Sequence, residues 1–398
     1  MSFIHNLTCE CTKAELDHFG LLPTPTSIEQ GEWKRYKPMA SISSDAPLEF
    51  HVTGSSEEYT DVSKTRGSDR RYQAVPVNNF MHSMFSEVGV YLNQKLITSN
   101  TNLYLYRAYM HMLLNYNESA KSTQCQCALW YPDTAGQFDT LGATNAGYAS
   151  KTALTEKSIV VQMMYRLVSD IFLQQRYIPN GVDIVIKLSP AKPSFCLMSA
   201  TADVRFTILD ATLNCRKVKL NPSVLLGHTS ALQKQDKTVS SPYLGQIPVR
   251  IIVFFVSNTA LNENGKHNPS NFNHFDLCEL SLHVDGRQIP SAPLQPNHED
   301  GQYIEAYLST FTGTGLMFKD DGHCISRAAY PNGYCLYAFN LTSHLSANDC
   351  HWTLRKSGAV NIEVRFKKAL PQAVNLVTFA EFQNLIQIDK QRNVSTDF

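Results

Sequence analysis

The chain of 398 residues has no charge bias, no long apolar run and no common catalytic motif. Lys plus Arg number 35 and Asp plus Glu number 35, so the formal net charge is zero. A strongly basic nucleic-acid binder would look different. The longest apolar run, Ile251 to Val256, is far shorter than a bilayer span. The start, Met1-Ser2-Phe3-Ile4-His5, has neither a basic n-region nor an apolar h-region. No signal peptide is therefore expected, and the chain is expected to be soluble and made in the cytosol. In that compartment the ten cysteines read as free thiols, not as a disulfide framework. The four sequons, at Asn6, Asn117, Asn340 and Asn393, then read as chance matches.

Chemistry is equally sparse. The patterns G-x-S-x-G, H-E-x-x-H, G-x-x-x-x-G-K-S/T and G-x-G-x-x-G do not occur. Gly313-Thr314-Gly315 lacks a third glycine and reads as a turn. Cys9-Glu10-Cys11 with His5 and His18, and Cys125-Gln126-Cys127, lack the paired C-x₂-C spacing of structural zinc. Asp320-Asp321-Gly322-His323 reads as a solvated turn, and His267 and His274 as exposed loop residues. Arg66, Arg70 and Arg71 read as a solvated loop, and Trp33, Trp130 and Trp352 as core or interface anchors. No catalytic, cofactor or metal residue is expected.

What the chain does have is alternation. Hydrophobic residues make up 43% and charged residues 18%, enough apolar surface for packed cores. Short apolar-polar stretches recur: Leu48 to Val52, Val88 to Leu92, Val182 to Ile186, Val204 to Ile208, Leu280 to Val284 and Ile362 to Phe366. Each puts one apolar face toward a core, so the fold class is all-β, a sandwich or barrel. The 3.6-residue spacing in Tyr104 to Asn115 predicts a helix. Ser158 to Phe172 is open between strand and helix, and Phe80 to Phe85 admits one helical turn before a strand.

The pattern also repeats. Glu87 to Asn93 matches Glu279 to Asp285 at an offset of 192. Tyr106 to Tyr109 approximates Tyr303 to Tyr307 at 198, and Gly181 to Leu188 matches Ala359 to Phe366 at 178. Three matches in one order point to a duplicated β unit. Eight strands per unit fit the jelly roll better than an immunoglobulin-like sandwich, which needs fewer residues. The expected organisation is an N-terminal arm over 1–20, a first jelly roll over 21–221 and a second over 222–398. At the offset of 192, Val249 to Val256 falls on the weakly apolar Glu57 to Lys64, and Leu48 to Val52 falls on Ser240 to Leu244. Each roll is thus expected to lack one strand that the other has, which makes Ser63 to Gln73 and Gln233 to Ser241 the expected weak points.

Four motifs carry a family resemblance: Val77-Asn78-Asn79-Phe80-Met81-His82-Ser83-Met84-Phe85-Ser86-Glu87-Val88, Asn180-Gly181-Val182-Asp183-Ile184, Phe311-Thr312-Gly313-Thr314-Gly315 and Ile388-Asp389-Lys390-Gln391-Arg392-Asn393-Val394. Through them the chain resembles the double jelly-roll major capsid proteins of Polinton (Maverick) transposons and adintovirus-type DNA viruses. The resemblance implies a structural protein of a virion and not an enzyme. It also implies homotrimers with a pseudo-hexagonal outline, with neighbouring capsomers and a penton or minor capsid protein as partners. The alternative is a jelly-roll carbohydrate-binding module, which would use aromatic-lined loops.

Overall fold

A computed structural model describes residues 27–43, 46–70, 74–98, 101–156, 160–174, 176–200, 204–234, 245–261, 265–320, 322–342, 345, 347 and 356–396, with side chains for all but 62–70 and 230–234. The strands up to residue 221 are β1 (Ile28–Tyr36), β2 (Leu48–Val52), β3 (Glu58–Arg70), β4 (Val75–Pro76), β5 (Phe85–Leu92), β6 (Lys95–Leu96), β7 (Val161–Tyr165), β8 (Ile184–Pro190), β9 (Leu197–Met198) and β10 (Thr207–Leu220). Between them lie α1 (Phe80–Ser83), α2 (Tyr104–Asn115), α3 (Glu118–Lys121), a 3₁₀ turn (Gln124–Ala128), α4 (Ala146–Thr155), α5 (Asp170–Leu173) and α6 (Pro193–Cys196). After residue 221 come α7 (Pro222–Lys234), β11 (Arg250–Ser257), α8 (Asn258–Leu261), β12 (Leu277–Val284), β13 (Arg287–Leu294), α9 (Ile304–Thr312), β14 (Leu336–Asn340), β15 (Val360–Phe366), β16 (Val374–Glu381), β17 (Ile386–Ile388) and β18 (Val394–Thr396).

The first sandwich has two four-stranded sheets, ordered β1-β10-β3-β7 and β2-β8-β5-β6. Leaving aside the two-residue pair β4-β9, its strands join first with eighth, second with seventh, third with sixth and fourth with fifth, all antiparallel. That is the wrapping of a jelly roll. Alternate residues of both sheets close on one core, with Phe50, Val90, Ile186 and Leu213 buried.

The second sandwich repeats six of these eight strands. Its sheets run β14-β11-β16 and β13-β12-β15. They correspond to β7-β3-β10 and β6-β5-β8, and the described residues hold no counterpart of β1 or β2. The likeness is detailed. β5 and β12 share one burial pattern along eight residues. Both carry a bulge at a glutamate, Glu87 and Glu279. Both end in a tight turn with two left-handed residues, Asn93 and Gln94 (φ 44° and 70°) in one and Asp285 and Gly286 (φ 49° and 75°) in the other. The side chain of Asn93 accepts the Asp183 N–H at 2.8 Å, and that of Asp285 accepts the Ala359 N–H at 2.9 Å.

The ladders correct one match. Val90 pairs with Ile186 as Leu282 pairs with Ile362, so Ile186 and not Ile184 stands where Ile362 stands. The true offset there is 176, because alternation alone permits a slip of two residues. The ladders also overturn the strand expected to be missing from the first roll. Glu57 to Lys64 falls largely within β3, which pairs with β10 on one side and β7 on the other. A strand held between two partners satisfies its backbone on both edges and needs few apolar side chains. Ser63 to Arg70 is thus paired backbone, not a weak loop, and Arg66 and Arg70 lie on it. Residues 71–73 and 235–244, the latter including Ser240 to Leu244, lie outside the described residues; Gln233 belongs to α7.

Among the helices, α2 matches its expected span, α1 precedes β5, and the ambiguous stretch resolves into β7 followed by α5.

The paired turns make a quantitative comparison. Gln94 holds a left-handed conformation that glycine adopts freely at the equivalent position of the second sandwich. Gln94→Gly is expected to stabilise the protein by about 1 kcal/mol. A rise in the urea midpoint at unchanged m-value would show it.

Candidate assembly surfaces and the seam between the sandwiches

Apart from one polar stripe of Arg107, His111 and Asn115, the helix α2 is apolar, and the structure buries it on both sides. Tyr104 and Ala108 enter the first core. Leu105, Tyr106, Tyr109, Met110, Met112 and Leu113 enter the second. The Tyr109 ring lies 5.1 Å from Trp130 and 5.7 Å from Phe272, which itself is 4.6 Å from Phe254 of β11. Trp130 is thus a core anchor; Trp33 is half exposed on β1, and Trp352 lies outside the described residues.

Beside this apolar seam runs a polar one. Asp133 and Lys151 are both buried, with Oδ1 and Nζ 3.2 Å apart. Asp133 Oδ1 also accepts from Asn145 Nδ2 at 3.0 Å, and its Oδ2 from Asn268 Nδ2 at 2.9 Å across the seam. Tyr334 donates to the Asp133 carbonyl at 3.1 Å. Burial pushes the Lys151 amine down, and Asp133 opposes that by pulling it up. Lys121 makes a second cross-link, donating to the carbonyls of Leu113 (2.8 Å) and His323 (2.7 Å).

The C-terminal strands return to the first sandwich, where Ile386, Ile388 and Val394 pack on its core. Arg392 Nη2 donates to Asn180 Oδ1 at 2.5 Å, and the Arg392 carbonyl accepts from Asn93 Nδ2 at 2.5 Å. Two of the family-like motifs therefore meet. The other two are also junctions. In the first, Asn78 Oδ1 accepts the Tyr131 N–H at 2.7 Å, and His82 Nδ1 sits 2.9 Å from the Tyr104 hydroxyl. In the Phe311 to Gly315 motif, Gly313 closes α9 against β14, where an added Cβ would stand 2.5 Å from the Ala338 backbone. Arg250 Nε donates to the Gly313 carbonyl at 2.8 Å.

The candidate chemical residues do not converge. Cys125 is buried and Cys127 exposed, and none of the seven described cysteines is in a disulfide. Cys9, Cys11, His5 and His18 lie outside the described residues. No group of three or more His, Cys, Asp or Glu fit to hold a metal occurs among the described residues. Nor is any described helix long and apolar enough to cross a membrane.

Three histidines depart from the expected exposed loops. His323 is fully buried. Its Nδ1 accepts the Ile325 N–H at 3.1 Å, which leaves Nε2–H to donate to Thr310 Oγ1 at 2.9 Å. Tertiary contact with Thr310 and Phe311 of α9 draws the His323 ring inward, so no local signal marks it. His267 is half-buried beside Asp139. His274, also half-buried, stacks face to face on His298 at 3.9 Å, and His298 stacks on Tyr303.

Outward, the fold shows apolar side chains without local cover. Phe318 is 97% exposed, Leu226 on α7 67%, and Ile304 and Leu308 project from α9. Between α2, α5 and the strands β11 and β16 lies a cleft of about 760 Å³. Its lining mixes Met110, Leu114 and Leu173 with the ion pairs Arg107–Asp170 and Arg250–Glu381. Surfaces of this kind suit contacts with other chains more than small-molecule chemistry.

The comparisons with known proteins agree with this geometry. No family model matches the chain. An uncharacterized protein of Caenorhabditis elegans is 20% identical over 425 residues, covering 94% of this chain and 99% of that protein. A chain of the Sputnik virophage aligns with TM-score 0.65 at 9% identity, covering 99% of this chain and 94% of its own. The mavirus major capsid protein gives 0.50 at 12% identity (100% and 97% covered), and the Faustovirus major capsid protein 0.53 at 8% (92% and 93%). The structures named for a function here are capsid proteins, not enzymes.

Two predictions follow from the buried polar groups. Asp133→Ala leaves Lys151 buried without its carboxylate and is expected to cost about 3–5 kcal/mol. The double variant with Lys151→Met is expected to recover the part due to the stranded amine in urea unfolding, and not the part due to Asn145 and Asn268, which lose an acceptor. The second concerns acid. Burial holds His82 at about 3 and His111, His298 and His323 each at about 4, below the ordinary imidazole value. The unfolded chain takes up these protons near pH 6.5, and the folded chain does not until near 4. Stability is therefore full above pH 6.5 and falls as the pH drops toward 4, by several kcal/mol in order of magnitude. Urea midpoints at pH 7, 6 and 5 are expected to decline steadily. Taken together, strand order, repeat and comparisons give this chain the double jelly-roll fold found in viral major capsid proteins.

Proposed function

We propose that this chain is a major capsid protein of the Polinton and adintovirus type, resident in the virion shell. Its organisation would be an arm over 1–20 and two rolls divided near residue 221. The division draws support from the ladders: among the described residues none joins strands from the two sides of residue 221. Three copies, each presenting two similar rolls, would give a tile of pseudo-hexagonal outline, because a head-to-tail contact repeated about a three-fold axis closes. Neighbouring capsomers and a penton or minor capsid protein would be its partners.

The observation that carries this reading is the pairing of two jelly rolls around one shared helix. Side chains from α2 fill both cores, so the two rolls behave as one stiff tile and not as beads on a linker. The buried charged residues Asp133, Lys151 and Lys121 are engaged in structural contacts at the seam.

The purified chain is expected to run as a trimer or larger in light scattering at micromolar concentration, with a three-fold outline in electron micrographs. A stable monomer across that range would overturn the reading.

A further inference from the structure

Among the described residues, the second sandwich has an open edge where the first has a covered one. In the first, β10 carries β1 along Ile28 to Tyr36. Among the described residues, its counterpart β16 pairs only with β11. The ladder ends with the Asn258 N–H bonded to the Ala373 carbonyl at 3.0 Å. This fixes the alternation, so Asn375, Val377 and Phe379 turn their backbone groups toward β11. Those of Leu376, Thr378 and Ala380 turn the other way, and no described residue bonds them.

The chain segment that should have filled this place is used elsewhere. By the repeat, a partner for β16 would come from the residues just after Leu220. They form α7, which lies on the first sandwich, with Val224 and Leu225 packed on Tyr59, Val218 and Leu220. His228 Nδ1 is 2.9 Å from the Tyr59 hydroxyl.

Proteins guard exposed strand edges with charges, prolines, bulges or shortness. The other edges here follow that rule. β13 holds Pro290 and Pro293, β15 bears Glu363 and Arg365, β1 has a bulge beside Glu29 and Glu32, and β14 is five residues long. β16 has eight residues, Val-Asn-Leu-Val-Thr-Phe-Ala-Glu, with neither proline nor lysine. Its one charge, Glu381, is spent on Arg250 at 2.9 Å. Leu376, Phe382 and Leu385 are exposed on or just beyond it. It also borders the cleft, which Thr378 and Ala380 help to line.

We propose that the outer edge of β16 receives an extended strand from a second copy of this chain, paired antiparallel as β1 is on β10. The occupant is a second copy because this edge lacks the guards that the chain's other edges carry, and an unguarded edge is tolerable where like subunits cover it. The inference rests on the capsomer reading above.

Thr378→Pro tests it. The Thr378 N–H faces away from β11, so proline there removes an outer donor and leaves the inner ladder intact. Leu376→Lys is a milder second variant that adds the missing guard. Each is expected to fold with an unchanged circular-dichroism spectrum and to raise the dissociation constant of the assembly by about tenfold or more. In the wild-type assembly, amide exchange at Leu376, Thr378 and Ala380 is expected to slow by about a hundredfold relative to the diluted monomer. Variants that assemble normally, with fast exchange at those amides, would overturn the proposal and leave the capsomer reading standing. Protection already present in the monomer would mean that the chain covers its own edge, and would also overturn it. A wild-type chain that never assembles would overturn both.

Discussion

The double-sided burial of α2 is the constraint on which the rest of the architecture depends. The helix follows the β5-β6 hairpin of the first sandwich, yet most of its apolar surface lies in the second core. Without it the second sandwich would lose Tyr106, Tyr109 and Met112 from its centre. Each buried side chain of this size is worth about 1.5–3 kcal/mol. The second roll therefore cannot close its core alone. The Asp133–Lys151 network then has a clear place. A buried ion pair adds little net stability, but it accepts only one arrangement of its donors. Packing holds the two sandwiches together, and the polar seam fixes how they meet.

The sequence disclosed the alternation, the helix and the duplication, because each leaves a periodic trace in residue order. It did not disclose register. Ile184 and Ile186 are equally good partners for Ile362 by alternation, and only the clamp of Asn93 on Asp183, mirrored by Asp285 on Ala359, distinguishes them. The sequence also misled at β3. A tract such as Ser63 to Arg70 reads as a loop because its own side chains cannot hold it. The strand exists because β10 and β7 bond it from both sides. His323 was obscured for a similar reason, since a histidine beside Asp and Gly looks solvated until a helix from elsewhere covers it.

The family-like motifs take on a physical meaning once their contacts are visible. Asn180-Gly181 and the tail around Arg392 bind one another across some 200 residues of chain. Asn78 caps the backbone where the loop before α4 enters the seam. Gly313 lets α9 approach β14 closely. None of these residues needs to perform chemistry to be indispensable. They satisfy buried backbone groups at points where one element ends on another, and substitution there would leave polar atoms unpaired.

The asymmetry between the sandwiches is what turns this fold outward. An eight-stranded roll caps its own sheets, and β1 and β2 serve that purpose in the first sandwich. The second sandwich shows six strands among the described residues, so β15 and β16 both end a sheet. They end it differently. β15 presents Glu363 and Arg365, charges that repel casual pairing. β16 presents Leu376, Thr378 and Ala380, whose backbone groups no described residue bonds, beside the cleft. One edge is guarded and the other is not, within a single sandwich and a few residues of chain. Loss of two strands would by itself have left both edges equally bare. The difference between a charged edge and a bare one within a single sandwich is the asymmetry on which the proposed strand contact between copies rests.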